Sequence, residues 1–148
     1  MKVAKILNDT ILISSIYEMY PNVSFPDVGI PDSFLQEKNL YKVIDYIEYD
    51  QTYKNLTKLN DPVLIGDYVY TVQLEDKTPN EINEIKWQKA RQKRNQLLQL
   101  SDLEVFIDKW EKYDSVKKNL WSDYRQKLRD LPTLYPNADN IIWPDKPI

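Results

Sequence analysis

Apolar and polar positions change rhythm once along this chain, near Lys77. Before that point, short apolar runs alternate with turn residues. Residues 2–6 and 10–14 flank Asn8-Asp9, a pair suited to a two-residue hairpin turn. Tyr20-Pro21-Asn22 and Phe25-Pro26 break the pattern and leave residues 23–25 extended. Residues 32–38, following Pro31, predict a short helix that stops near Asn39. Residues 41–49 and 52–59 read as strands with soft edges. The clearest strand is 67–74, where Tyr68, Tyr70, Val72 and Leu74 alternate with Val69, Thr71 and Gln73, which places the larger side chains on one face. Gly66-Asp67 reads as the turn before it, so an antiparallel meander is the economical topology.

Beyond Lys77 the period becomes helical. Thr78-Pro79-Asn80-Glu81 supplies an N-cap hydroxyl, a proline at the first helical position and a glutamate three residues after the cap. Nothing then breaks a helix until about Leu100. Trp87, Ala90, Arg91, Arg94, Leu97, Leu98 and Ser101 share one face of it, with Lys86, Lys89 and Lys93 opposite. The arginines are therefore expected inward with Trp87, and the lysines in solvent. A second helix begins at Asp114 or Ser115 and ends just before Pro132, with the stripe Lys117, Trp121, Tyr124, Leu128 and Leu131. Residues 103–113 between them form a short helix or a folded loop. Two such helices should pack as an antiparallel hairpin. Four prolines from Pro132 onward predict an extended tail that straps Trp143 onto a neighbouring surface. The predicted class is α+β: an antiparallel β-rich domain over residues 1–77, then a helical hairpin with an extended tail over 78–148.

Composition narrows the chemistry. The chain has no cysteine and no histidine. That removes thiol and Ser-His machinery and nearly all zinc or haem sites. With two glycines, no Gly-rich phosphate loop occurs. The expectation is a protein without cofactor or catalytic residues, not an enzyme. The segment Met1-Lys2-Val3-Ala4-Lys5-Ile6 lacks the sustained apolar run of a secretory leader, and no apolar run is long enough to span a bilayer, so a cytosolic protein without a membrane partner is expected. Charge is unevenly placed: residues 1–85 carry a net −7, residues 86–129 a net +6 and the remainder −2. That asymmetry suits internal complementarity or an acidic partner. A nucleic-acid partner is disfavoured, since acids interleave the basic segment and the overall charge is −3.

Three constellations carry candidate function. Arg91, Arg94, Arg125 and Arg129, with Asp102, Asp123 and Asp130, form either an ion-pair network that locks the helices or a cationic patch for an acidic partner segment. Charges of both signs at helical spacing more often satisfy one another. Trp87, Trp121 and Trp143 form either a stacking platform or, more simply, core and tail packing. Asp45, Glu48 and Asp50 form either a hard-cation site or a solvated acidic edge; they do not share one strand face, which favours the edge.

The C-terminal pattern also resembles a known family. It reads Arg91-x-x-Arg94-Asn95-x-Leu97-Leu98-x-x-Ser101-Asp102, then Trp121-x-x-Tyr124-Arg125-Gln126-x-Leu128-Arg129-Asp130-Leu131-Pro132, then Trp143-Pro144. Over residues 79–147 this resembles the phage tail assembly chaperone family of tailed bacteriophages. Leu103 stands where that pattern has an aromatic residue. The resemblance implies a non-enzymatic protein that helps tail or tail-fibre subunits assemble in the host cytoplasm. A structural subunit kept in the virion at a tail or fibre junction is the other reading it allows. On either reading the partner is a phage tail or tail-fibre protein, and self-association stays open. An exposed strand edge of the β-rich half would then recognise the client, with Trp87, Arg91, Arg94, Asp102, Trp121, Tyr124, Arg125, Arg129 and Trp143 forming a rigid helical surface.

Overall fold

Asn8 and Asp9 both adopt positive φ, 48° and 62°. Short polar side chains tolerate that conformation, and two such residues make the turn whose twist matches its flanking strands. In this computed structural model, which describes residues 1–148, they join β1 (Lys2–Leu7) to β2 (Thr10–Ser15) in an antiparallel pair. The chain divides into two compact units, Met1–Asp76 and Lys77–Ile148, and its class is α+β.

The first unit is one five-stranded sheet in the order β2-β1-β3-β5-β4, with β3 spanning Leu40–Ile44, β4 Lys54–Ile65 and β5 Tyr68–Asp76. The sheet is mixed, not an antiparallel meander, because β3 and β5 run parallel. The reason is the length of the connection after β3. Residues 45–53 carry the chain past one strand position, so β4 lands at the outer edge. The turn at Gly66, with φ 59°, then returns β5 into the gap. Asp50 shapes that connection: its carboxylate accepts the Thr52 N–H at 2.7 Å. Asp45 pairs with Lys2 at 3.4 Å, so both acids hold local structure. On β5 the buried residues are Val69 and Val72, while Tyr68 is exposed. The larger side chains share one face as their alternation requires, but burial does not follow that face alone. Val69 and Val72 have opposite parity, so each face of β5 is covered at one point.

Two short helices cover the core of this unit. One was not expected: α1 (Ile16–Met19) follows β2 without a loop, started by a capping box in which Ser15 and Glu18 satisfy each other's backbone N–H groups. The signal was present as Ser15-x-x-Glu18. The second, α2 (Asp32–Glu37), ends as the chain turns through Asn39 at φ 50°. Val3, Ile16, Leu35 and Leu40 are buried together, and Tyr20, Phe34 and Phe25 extend the cluster through edge-to-face contacts of 5.3 and 5.0 Å.

The second unit holds α3 (Pro79–Asp102), the single-turn α4 (Ile107–Trp110) and α5 (Ser115–Leu134). Pro132 does not stop α5, contrary to expectation. It lies in the last turn, and helical bonding continues past it, with the Tyr135 N–H reaching the Leu131 carbonyl at 3.1 Å. A proline this near the end removes only the N–H that would have met the Leu128 carbonyl. No helix is long and apolar enough to cross a membrane.

At the start of α3, the Thr78 hydroxyl accepts the Glu81 N–H at 3.3 Å and the Glu81 carboxylate accepts the Thr78 N–H at 2.8 Å. The Thr78 N–H, with the Thr78 hydroxyl donating to the same carboxylate at 2.7 Å, holds the Glu81 carboxyl below its ordinary range. Replacing Thr78 with alanine should lower stability by about 1 kcal/mol in urea unfolding. Thr78→Ser should stay near the wild type, since it keeps the hydroxyl.

Candidate functional site

The helical unit is built around Trp87, Trp121, Tyr124, Leu128 and Leu131, all buried. Trp121 and Tyr124 meet edge to face at 5.8 Å, and Ala90, Leu97 and Leu98 of α3 pack against the cluster. Burial alone raises the Tyr124 hydroxyl pKa. Trp87, near the start of α3, donates through Nε1 to the Pro136 carbonyl just after α5, at 3.2 Å. Arg125, at the middle of α5, reaches the C-terminal end of α3. The two helices therefore run in opposite directions.

Arg125 is the polar centre of the arrangement. Its Nη1 donates to the Leu98 carbonyl at 3.3 Å, to the Asp102 carboxylate at 2.7 Å and to the Ser101 hydroxyl oxygen. Ser101, itself buried, donates its proton to the Leu98 carbonyl at 2.6 Å. A guanidinium suits this position because the C-terminal end of a helix carries carbonyls without intrahelical partners and a negative dipole end. Its side chain is 16% exposed against 52% for Asp102. The pair is thus half-desolvated, with the guanidinium covered and the carboxylate in contact with water.

The other predicted arginines do not join this centre. Arg91 is about half exposed and lies over the Trp87 ring at 5.7 Å, with Glu84 3.8 Å away. Arg94 turns its guanidinium to the neighbouring Asn95 at 3.1 Å. Arg129 is exposed beside Asp123, Gln126 and Trp110 on an open groove along α5. Asp130 accepts from Gln126 at 2.8 Å. Arg91 and Arg94, expected inward with Trp87, thus do not form the polar centre; the arginine that does is Arg125.

The lysine side explains the shift. The segment after α5 packs against α3 on the flank assigned to solvent. Asn83 brackets its start, donating to the Pro136 carbonyl at 3.0 Å and accepting from the Ala138 N–H at 3.0 Å. Lys86 pairs with Asp139 at 2.6 Å, and the Lys93 ammonium lies 4.2 Å from the centre of the Trp143 ring. Lys86 and Lys93 are therefore partners of the tail. Further on, Lys146 sits 5.9 Å from the Trp121 ring. The tail is not extended throughout, since Ala138–Asn140 forms one 3₁₀ turn capped by Asn137. Trp143 is half-buried against the core, as strapping requires.

Between α3 and α5 a second polar group appears that the sequence reading missed. The Glu104 carboxylate pairs with Lys109 at 2.7 Å and accepts the Tyr113 hydroxyl proton. These bonds hold Glu104 below its ordinary pKa and raise that of Tyr113. Around this corner lies an apolar set equally unforeseen. Leu100, Leu103, Phe106, Ile107, Val116 and Leu120 are each half exposed or more. They run from the end of α3 through α4 into the first turns of α5. Scattered apolar residues on a surface need no explanation, but six within residues 100–120 set this corner apart from the buried stripes of α3 and α5. The available signal was the poor helical period of 103–113, a segment apolar without a stripe to bury.

Two measurements check this geometry. Arg125→Ala should lower unfolding stability by about 1–2 kcal/mol, whereas Arg91→Ala and Arg129→Ala should each stay within about 0.5 kcal/mol. Equal losses at the three positions would show that Arg125 is not the lock. Glu104 has a folded pKa below its unfolded value of about 4.5, so its stabilisation is full above that pH and is lost as pH falls through the folded value. The stability difference between wild type and Glu104→Gln should accordingly be largest near neutrality and vanish in acid.

No curated protein and no solved structure matches this chain. Residues 87–148 match the family model described as phage tail assembly chaperone protein. The matched segment begins at Trp87 and runs through Arg125, the corner and the Trp143 strap, so it covers the elements that hold the helical unit together. Over that segment the C-terminal unit is similar to the phage tail assembly chaperone family.

Proposed function

We propose that this chain is a non-enzymatic assembly factor that binds a phage tail or tail-fibre polypeptide in the host cell before that polypeptide enters the tail. The observation that carries this reading is the apolar corner of the family-matched unit, where Leu103, Phe106 and Ile107 stand exposed beside a rigid pair of helices. A client whose own apolar surfaces are still unburied before assembly gains by covering such a corner. The helices need no rearrangement to present it, because Arg125, Trp87 and the tail contacts already fix them. Residues 1–77 and 78–148 act in this reading as separately folding domains, the second engaging the client.

The test follows the protein through infection. A tagged chain isolated from infected cells should carry one tail or fibre protein, identified by mass spectrometry, while purified particles should lack the chain. Phe106→Glu combined with Ile107→Glu should abolish that association without lowering the melting temperature, since both side chains are already in solvent. Stoichiometric presence in mature particles would sink the transient role and assign the chain to the virion as a structural subunit.

A further inference from the structure

The outer edge of the sheet at β2 is built differently from the edge at β4. A free strand edge exposes a row of unpaired N–H and C=O groups, and proteins guard such edges with charge, proline or irregularity. The β4 edge has all three guards. It carries Lys54, Lys58 and Asp61, places Pro62 within the strand, and breaks register between Lys58 and Val63. The β2 edge, Thr10-Ile11-Leu12-Ile13-Ser14-Ser15, has no charge, no proline and unbroken register.

The direction of each backbone group on β2 follows from its turn. A two-residue hairpin makes Leu7 and Thr10 a hydrogen-bonded pair, and such pairs alternate along an antiparallel ladder. Thr10, Leu12 and Ser14 therefore point their N–H and C=O groups at β1, and the Ile16 N–H meets the Met1 carbonyl at 3.0 Å in the same phase. Ile11, Ile13 and Ser15 point theirs outward. The Ser15 N–H is already taken by the Glu18 carboxylate at 3.2 Å, which also accepts the Ser14 hydroxyl proton at 2.6 Å. The capping box of α1 thus closes one end of the edge. Ile11 and Ile13 remain, with no strand beyond them.

We propose that a second copy of this chain occupies that edge, pairing β2 with β2 antiparallel about a two-fold axis through Leu12. The open groups are self-complementary only in this register. Ile11 of each copy faces Ile13 of the other, and each such pair exchanges two hydrogen bonds. Leu12 faces its own symmetry mate as the non-hydrogen-bonded pair, where side chains approach most closely. Leu12 is 47% exposed in the single chain, so the apolar surface it would bury is still available. Thr10 faces Ser14 of the other copy. No charge lies within the paired segment of either copy, so none opposes the approach. The interface is isologous and closes at two copies, joining two five-stranded sheets into one.

A cysteine at the axis tests this, because the chain has none of its own. A non-hydrogen-bonded antiparallel pair holds its Cα atoms about 4.5 Å apart, within disulfide reach. Full-length Leu12→Cys should convert mainly to a covalent dimer under mild oxidation, and Leu64→Cys on the guarded β4 edge should stay mainly monomeric. Sedimentation of the unmodified chain should show a concentration-dependent dimer. Leu12→Lys and Leu12→Glu should each sediment as monomers with native circular dichroism, and their mixture should recover the dimer. A monomer at every concentration tested, or equal cross-linking at Leu12 and Leu64, would overturn the proposal and leave the edge to a strand of another protein.

Discussion

The helical unit depends on one guanidinium placed against one helix end. Two helices joined by a corner with little apolar period of its own are free to slide and rotate unless something fixes their register. The aromatic cluster supplies most of the driving force, but apolar contact is non-directional and tolerates small rotations. Arg125 supplies the direction. Its contacts with Leu98, Ser101 and Asp102 can all form in only one register of α5 on α3. With that register set, Trp87 meets the Pro136 carbonyl and Asn83 meets the chain just after it. The tail is then delivered to the lysine flank, where Lys86 and Lys93 find Asp139 and Trp143. Contacts at the two ends of the helix pair are thus consequences of one polar lock.

This arrangement also accounts for part of the uneven charge. The excess of positive charge over residues 86–129 was compatible with internal complementarity or with an acidic partner. Lys86 is answered by Asp139, Lys109 by Glu104 and Arg125 by Asp102, with Lys93 lying over Trp143. Of these, only the Lys86–Asp139 pair draws on an acid outside the segment, because Glu104 and Asp102 are already counted in its net charge; most of the positive excess stays on the surface. Exposed pairs of this kind add little stability each. Their effect lies in choosing which flank of α3 the tail covers.

What was legible in the sequence was local, and what was not was tertiary. The Asn8-Asp9 turn and the Thr78–Glu81 cap could be read directly because each is specified by residues within a few positions of one another. The capping box at Ser15 and Glu18 is equally local, carried by the spacing Ser15-x-x-Glu18. The parallel pairing of β3 with β5 was out of reach, because it depends on where residues 45–53 let the chain re-enter the sheet. The phase of α3 shows the same limit more finely. Its period placed Trp87, Leu97 and Leu98 correctly, since any partner would bury them. It could not decide between the arginine and lysine flanks, because the tail that settles the matter arrives from more than forty residues away. Long side chains make this ambiguity general: Arg and Lys can lie along apolar surface or extend into water with little difference in helical pattern.

The surfaces left over differ in kind. The β2 edge presents directional groups, N–H and C=O at fixed spacing, that only another extended backbone in one register can satisfy. The corner around Phe106 and Ile107 presents apolar area, which many shapes can cover and none satisfies uniquely. A surface of the first kind suits a fixed, repeated partner, and a second copy of the chain is the partner that always carries the matching edge. A surface of the second kind suits a partner met in an incompletely assembled state and later released, because apolar contact without a buried polar lock can be exchanged for a better one. The chain places its polar lock at Arg125, inside its own fold, and leaves the outward face of the corner without one. That division fits the proposed assembly role: directional contacts hold the fold together, and non-directional ones face outward.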